Sequence, residues 1–351
     1  MGPNKEDVLK ILYWNARSIL KRKEEIQQIL HTVDIFACVE TWLSPSILNL
    51  QYPGFISFRL DRTHAPGGGI LLLIRKNLAY KEIPGIMSPH ESVEICGIRI
   101  TNTNPAFNLI VCYRAPGLTL TLDQWGKIFS NLKTDQCNIM MGDFNAHHVN
   151  WNCNRSDRNG ENLLEMVEKH NLFIHNHDSY SHIDKYSKSN IDLVLSSNNV
   201  ADKININVND DTWGSDHYPI YISVSAQKIR YCKKSHKLSS KRTDWANFAL
   251  HLDSAFPQFF CAEYELLPPS QKYDSFVKVL KEAIVNNTPK KKIVGPRTHR
   301  NPVAWWDKEC HEIKQLRNKA FKKWERSKTL EDLIEYKRLI ALAKKTFKTI
   351  K

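Results

Sequence analysis

Four places in this 351-residue chain put acids, amides or a histidine where a run of apolar residues begins or ends. Tyr13, Trp14 and Asn15 close the first run. The run from Asp34 to Glu40 ends on a carboxylate. The run from Ile139 ends on Asp143 and, two residues on, Asn145. Ser215, Asp216 and His217 open the last run. Tyr113 ends a further run, and Asp192 sits inside another, between Ile191 and Leu193. A single carboxylate at such a place is ordinarily a cap or turn residue. Repetition is harder to dismiss, because strand ends are where a rigid sheet can present groups that must converge. Asp192 is the sharpest case, since a charge flanked by Ile, Leu and Val has to be paired, and an imidazole such as His217 would suit. The set fits a hard divalent cation and a phosphate. Glu40 offers the oxygen ligand that Mg²⁺ prefers. Asp143 and His217 can activate or orient a water, while Asn15 and Asn145 can hold phosphate oxygens without repulsion. There is no G-x-S-x-G elbow and no GxxxxGK[ST] loop, and Gly67, Gly68 and Gly69 precede an apolar strand, as in a hairpin turn.

Such groups need elements to position them. Before residue 226, short apolar runs alternate with helical stretches. The pattern predicts strands over Lys10–Asn15, Asp34–Glu40, Gly69–Arg75, Ser92–Ile100, Asn108–Tyr113, Asn138–Asp143, Ile191–Ser196 and Tyr218–Val224. It predicts helices, each with an apolar stripe, over Ile19–His31 and Asn159–His170. Many strands with a few interleaved helices predict a layered α/β sandwich. After residue 240 the pattern turns helical, over Thr243–Ala255, Ser270–Asn287, Val303–Ser327 and Thr329–Lys351. The last two can form an antiparallel hairpin, with Thr329 and Asp332 spaced as a capping box. The stretch Thr288–Pro302 reads as a basic flexible linker. The helical pattern runs to the last residue, which predicts a piece of something longer.

The charge divides at the same place. Residues 226–351 hold 29 of the 50 Lys+Arg and 13 of the 37 Asp+Glu, which leaves 21 basic and 24 acidic residues in front of them. A slightly acidic body thus precedes a strongly basic tail. Such a tail binds phosphate backbones non-specifically, the plainer reading being that its cations solvate helix faces. Lys290, Lys291 and Lys292 form a short run of the nuclear-localisation kind, and Trp305 and Trp306 read as core packing rather than base stacking. The eight cysteines form no C-x-x-C pair, so buried free thiols are expected. The longest strictly apolar run, Ile70 to Ile74, is far short of the roughly 20 residues that span a bilayer. No signal-peptide core opens the chain. An intracellular protein with no membrane partner is expected.

In chain order, Trp14-Asn15, Glu40-Thr41-Trp42, Tyr113-Arg114, Gly142-Asp143-Phe144-Asn145, Asn190-Ile191-Asp192 and Ser215-Asp216-His217 resemble the motifs of the endonuclease/exonuclease/phosphatase superfamily. Within it they are similar to the endonuclease domain of non-LTR (LINE, jockey-like) retrotransposons, over roughly residues 8–225. The resemblance implies an α/β fold, a four-layer α/β sandwich of two packed mixed β-sheets flanked by helices, with an α-helical C-terminal extension. The implied division is a catalytic domain over 1–228 and, over 229–351, a basic helical linker toward a reverse transcriptase that this chain does not contain. Glu40 is implied as the metal-binding acid, supported by Asn15, with Asp216 as an acid near the metal. Asp143 is implied to orient or deprotonate the attacking water. Asn145 and Tyr113 would contact phosphate, and His217 would contact phosphate or act as base with Asp192 orienting it. Arg17, Arg114, Ser181, Lys185, Lys188 and Ser215 are implied DNA contacts. The cofactor would be Mg²⁺, with Mn²⁺ able to replace it.

The implied reaction cuts one strand of target DNA and leaves a 3′-hydroxyl that primes reverse transcription. Implied partners are the DNA, the element's RNA and a reverse transcriptase normally in the same polypeptide. The implied location is nuclear when active, after cytoplasmic synthesis, and not secreted. The chain departs from abasic-site repair enzymes at Ala16-Arg17, where they carry an Asp two residues after the Asn. Ser181 stands where similar enzymes often have Thr. The loop Ile183–Ser189 matches a hairpin that similar enzymes push against DNA. The alternatives are an abasic-site repair endonuclease or phosphatase of the same superfamily, and a decayed copy that only binds nucleic acid.

Overall fold

The computed structural model describes residues 8–47, 50–229, 242–289 and 305–350. Two six-stranded sheets carry the front part. The first runs β14 (Ile204–Val208), β15 (Ile220–Ser225), β1 (Val8–Asn15), β2 (Ile35–Val39), β4 (Ile70–Arg75), β3 (Phe55–Leu60). The second runs β10 (Leu172–Ile174), β13 (Asp192–Ser197), β9 (Cys137–Asp143), β8 (Phe107–Arg114), β6 (Val93–Ile100), β5 (Tyr80–Glu82). Both are mixed: β1 and β2 are parallel, as are β8 and β9, and the other neighbours are antiparallel. Two short pairs complete the strands, β7 (Thr103–Asn104) with β16 (Gln227–Lys228), and the hairpin of β11 (His182–Ile183) and β12 (Lys188–Ser189).

The period of two along each strand sorts the side chains between layers. Leu9, Ile11 and Tyr13 of β1 join Leu72, Leu109, Val111 and Met141 in a core between the sheets. Leu12 and Trp14 face the other way, onto Ile26 and Ile29 of α1 (Lys23–Ile29). The outer face of the second sheet is covered by α2 (Leu122–Phe129) and α3 (Arg158–Lys169), through Trp125, Phe129, Leu163 and Met166. Each fully buried side chain of this kind contributes about 1.5–3 kcal/mol. Helix, sheet, sheet, helix is the four-layer sandwich expected. Every predicted strand is present within a residue or two. The short helix α4 (Asn198–Ala201) follows β13.

The division at 228/229 has to be redrawn. Residues 299–351 form one compact unit with residues 1–230, and residues 231–298 form another. The predicted hairpin is there, as α8 (Lys308–Ser327) and α9 (Leu330–Ile350), but it is docked on the body. Phe321, Trp324 and Tyr336 bury against Ile183 and Tyr218. Arg317 is buried with an ion pair of 2.9 Å to Glu25 and another of 2.9 Å to Asp211. A helix pair with an aromatic face this broad buries it rather than leaving it in water. Trp305 and Trp306 pack partly buried against the Leu339, Ala343 and Phe347 end of this hairpin.

In the second unit, α5 (Trp245–Ala255), capped by Asp244, packs on α7 (Pro269–Asn287), and α6 (Ala262–Glu265) lies between them in sequence. Cys232 and most of the predicted linker, including Lys290 to Lys292, lie outside the described residues. The cysteines described are free thiols, with Cys38, Cys96, Cys112, Cys153 and Cys310 buried. No described helix is long and apolar enough to cross a membrane.

Candidate active site

Strand register brings the polar residues to one edge of the sandwich. Asn15 ends β1 opposite Val39, so Glu40 follows directly beside it. Asp143 ends β9 opposite both Tyr113 and Asp192. His217 lies just before β15, which pairs with β1. The close approach of β8 and β9 requires Gly142, because a Cβ there would sit 2.0 Å from the Cys112 carbonyl oxygen. Glu40 and Asn145 leave their strands with φ of 49° and 46°. For residues other than glycine such backbone costs about 1–3 kcal/mol, a strain that collects at functional sites.

Asn15 is the centre of the arrangement. Its Nδ2 donates to Glu40 Oε1 and to Asp143 Oδ2, both at 2.9 Å. Its Oδ1 accepts from the Arg17 backbone N–H at 3.2 Å. With its amide nitrogen toward both acids, Asn15 clamps them together beside Glu40, which the resemblance implied it supports. Trp42 Nε1 holds the other oxygen of Glu40 at 3.1 Å, and the Asn145 N–H holds Asp143 Oδ1 at 3.0 Å. Asp192, fully buried, lies 2.6 Å from His217 Nδ1 and accepts from the Tyr13 hydroxyl at 2.9 Å. The pairing of Asp192 with His217 is the one expected from the sequence. His217 Nε2 is left 3.9 Å from Asp143 Oδ2 and 3.8 Å from Asp216 Oδ1.

The electrostatics follow from burial and pairing. Burial alone would lower the pKa of His217, but Asp192 outweighs it, with help from Asp143 and Asp216, and lifts it to about 10. The Asp192 carboxylate thus favours the charged form of the ring. Burial and the nearby Asp192 charge raise Asp143 well above the usual carboxylate range, against the pull of His217. Burial, Glu40 and Asp143 keep the Tyr113 phenol protonated. Burial opposes ionisation of Asp216, but His182, His217 and Arg17 hold it far below the usual range. Oxygens of Glu40 and Asp143, with a nitrogen of His217, lie within 4.8 Å of one another. Two fixed carboxylates on an open pocket of about 500 Å³ are what a small hard cation takes, its remaining positions filled by water. Asp216, implied as an acid near the metal, is ion-paired with Arg17, lies 3.7 Å from His182 Nε2, and forms with His182 and His217 a second group whose ligand atoms lie within 4.8 Å of one another.

Several implied DNA contacts are placed otherwise. Arg114 is buried; its guanidinium donates to the carbonyls of Phe144, Ala115, Leu118 and Asn145 and so moulds the loop after Asp143. Asn145 Nδ2 returns a bond to the Arg114 carbonyl at 2.7 Å. Ser181 is fully buried, its Oγ accepting from the N–H groups of Ile191 and Asp192 at 3.0 and 2.8 Å. Ser215 Oγ donates to the Asn15 carbonyl at 2.9 Å. Arg114 and Ser181 thus position the site from within, while the half-buried Ser215 also lines a second cavity beside it. Lys188 is ion-paired with Glu325 of α8 at 2.9 Å, and Lys185 is exposed beside Tyr186 at the hairpin tip. Arg17 is half-exposed at the rim. Sequence reasoning missed His182, whose ring centroid is 4.6 Å from that of His217, and His147 and Arg155, which line the same pocket. The signal was available: His182 adjoins Ser181, and His147 follows Asn145 in the same loop.

Known proteins resemble this chain in sequence and in fold. A family model described as endonuclease-reverse transcriptase matches residues 107–221. The RNA-directed DNA polymerase of the Drosophila melanogaster transposon X-element is 25% identical over 256 residues, 71% of this chain and 27% of that protein. That of the mobile element jockey, also from Drosophila melanogaster, is 22% identical over 257 residues, with the same coverage. The chain thus spans about a quarter of the length of these relatives. Among solved structures, the endonuclease domain of TRAS1, a telomere-specific non-LTR retrotransposon, superposes with a TM-score of 0.52 at 17% identity, over 64% of this chain and all of that one. The Xenopus laevis APE2 catalytic domain gives 0.50 at 15% identity, over 64% of this chain and 94% of that one. By its family-model match, its four-layer fold and these likenesses, the chain is similar to the endonucleases of non-LTR retrotransposons within the endonuclease/exonuclease/phosphatase superfamily.

Proposed function

We propose that this chain is a Mg²⁺-dependent endonuclease, also served by Mn²⁺, that nicks one strand of DNA and leaves a 3′-hydroxyl to prime reverse transcription. The observation that carries this reading is the Asn15 clamp on Glu40 and Asp143 beside the Asp192–His217 pair. Glu40 and Asp143 would hold the ion, which when bound neutralises charge on the phosphate. Asp143, fixed through both oxygens, orients a water in line with the phosphorus and takes its proton. The His217 imidazolium, held by Asp192, donates from Nε2 toward a phosphoryl oxygen, where negative charge grows in the transition state. Asn145 and the protonated Tyr113 supply further donors. These groups are pre-set by the sheets, so little reorganisation is needed when the phosphate arrives. DNA, element RNA and a reverse transcriptase of the same polypeptide are the partners this role requires, and the nucleus is where the DNA is met.

The test is conversion of supercoiled plasmid to the open-circular form with and without Mg²⁺, for wild type, Asp143→Ala and His217→Ala. Wild type is expected to nick only with the metal, and both variants to lose at least about 10²-fold. Equal activity in all three refutes the assigned site, and no nicking by wild type refutes the function. Parallel incubation with an abasic duplex and with phosphorylated inositols separates the repair and phosphatase alternatives.

A further inference from the structure

A second cavity opens beside the active site, in the seam where α9 meets the body. Its volume is about 310 Å³, comparable to a single nucleotide. Arg17 and Asp216 line both cavities, so the two adjoin. Lys21, Arg22 and Trp42 form the body's wall, and Trp324, Tyr336 and Lys337 form the wall from the helical hairpin. Lys21 and Lys337 are exposed on opposite lips. Lys21 lies 5.0 Å from the Trp42 ring centroid, and Lys337 makes no ion pair among the described residues. The floor is aromatic, with Trp324 and Tyr336 stacked at 5.9 Å and 10°. Trp324 is 6% exposed, yet its indole N–H is buried without a partner, as is Nε of Arg22. An anion-bearing ligand with a flat ring meets the open features of this seam: cations at the lips and the exposed Trp42 ring on its wall.

We infer that this seam is a nucleic-acid subsite that holds the nucleotide flanking the scissile phosphate on the DNA strand. The inference rests on the nuclease reading of the adjoining pocket. Lys21 and Lys337 contact successive phosphates, and the base lies against the aromatic wall. The helical hairpin is thereby part of the substrate surface and not only a carrier of dispersed positive charge.

The experiment is fluorescence anisotropy of a labelled DNA duplex with the full chain in EDTA, so that no cleavage occurs, as a function of salt. Three proteins are compared: wild type, Lys21→Ala/Lys337→Ala, and Lys345→Ala/Lys348→Ala, whose lysines sit on the same helix but line neither cavity. The groove pair is expected to reduce the slope of log affinity against log salt by about 1.8, two phosphate contacts at about 0.9 each, and to weaken binding on the order of tenfold. The control pair is expected to change it far less. An unchanged slope in the groove pair overturns the inference, as does an equal loss in the control pair. A loss seen with single-stranded RNA but not with the duplex overturns the assignment to DNA. Lys337→Glu, one exposed substitution, repeats the comparison should the double variant melt early. Because binding is read without metal, a wild type that binds as described but fails to nick refutes the nuclease reading alone.

Discussion

Arg317→Met tests whether the helical hairpin is a cooperative part of the nuclease unit. The guanidinium is 3% exposed and serves two acids, Glu25 at 7% and Asp211 at 4%. Removing one partner of a buried pair costs about 3–5 kcal/mol, because it strands the opposite charge. Two acids are stranded here, which pushes toward the upper end. Two effects hold the loss down. Asp211 keeps the Trp213 N–H at 2.9 Å. Burial already raises Glu25 above its ordinary value of 4.5, with Arg317 opposing, so without Arg317 it protonates more readily.

The expected loss is therefore about 4 kcal/mol at neutral pH, or roughly 10 °C in Tm at about 2–4 °C per kcal/mol. The sign of its pH dependence is fixed. The folded pKa of Glu25 lies above the unfolded one, so its favourable contribution is complete below the unfolded value and is lost as pH rises through the folded value. The deficit of Arg317→Met should shrink between pH 7.5 and pH 5, and Glu25→Gln added to it should recover part of the loss at pH 7.5. Urea unfolding followed by tryptophan fluorescence reads all of this. A loss under about 1 kcal/mol would show that the hairpin is not cooperatively docked. A deficit independent of pH would remove the protonation argument while leaving the docking intact.

Other consequences can be checked alongside. Asn15→Ala should raise the Mg²⁺ concentration needed for half-maximal nicking by about 10–100-fold with the fold retained, as loss of a group that orients metal ligands does; a metal titration of nicking reads it, and an unchanged midpoint contradicts the clamp. Arg114→Met should destabilise by about 3 kcal/mol or more, since four carbonyls lose a buried charged donor, and should leave the salt slope of DNA binding unchanged in protein that remains folded. Gly142→Ala should fold poorly or melt far below wild type, because its methyl has no room against Cys112; a wild-type melting curve would contradict the register of β8 and β9.

Legibility in the sequence tracked burial. The strands that proved legible, such as Ile70–Arg75 and Asp192–Ser197, are covered on both faces and read as continuous apolar runs. Those that escaped notice, Phe55–Leu60, Tyr80–Glu82, Leu172–Ile174 and Ile204–Val208, lie at or beside sheet edges, where half-exposed residues blur the alternation. The site was legible where residue type alone dictates need, as for Asp192 and His217. It was not legible where direction matters: Arg114 and Ser181 sit beside site residues in the chain but turn inward. Nor could counting charges reveal that one cation of the tail, Arg317, is paired in the interior with Glu25 and Asp211 of the front part.

The unit that holds the site is discontinuous, closed by residues 299–351 after an interruption of residues 231–298. During synthesis the sandwich can begin to fold once its last strand is made, but Glu25, Asp211 and the apolar face of Ile183 and Tyr218 wait for chain roughly 120 residues further on. At about 5–20 residues per second that interval is roughly 6–24 s. The His182–Ser189 hairpin beside the catalytic pocket is unbraced for that time. The unit that carries the site is thus completed only after the helical hairpin has left the ribosome, well after the last of the candidate site residues has been made.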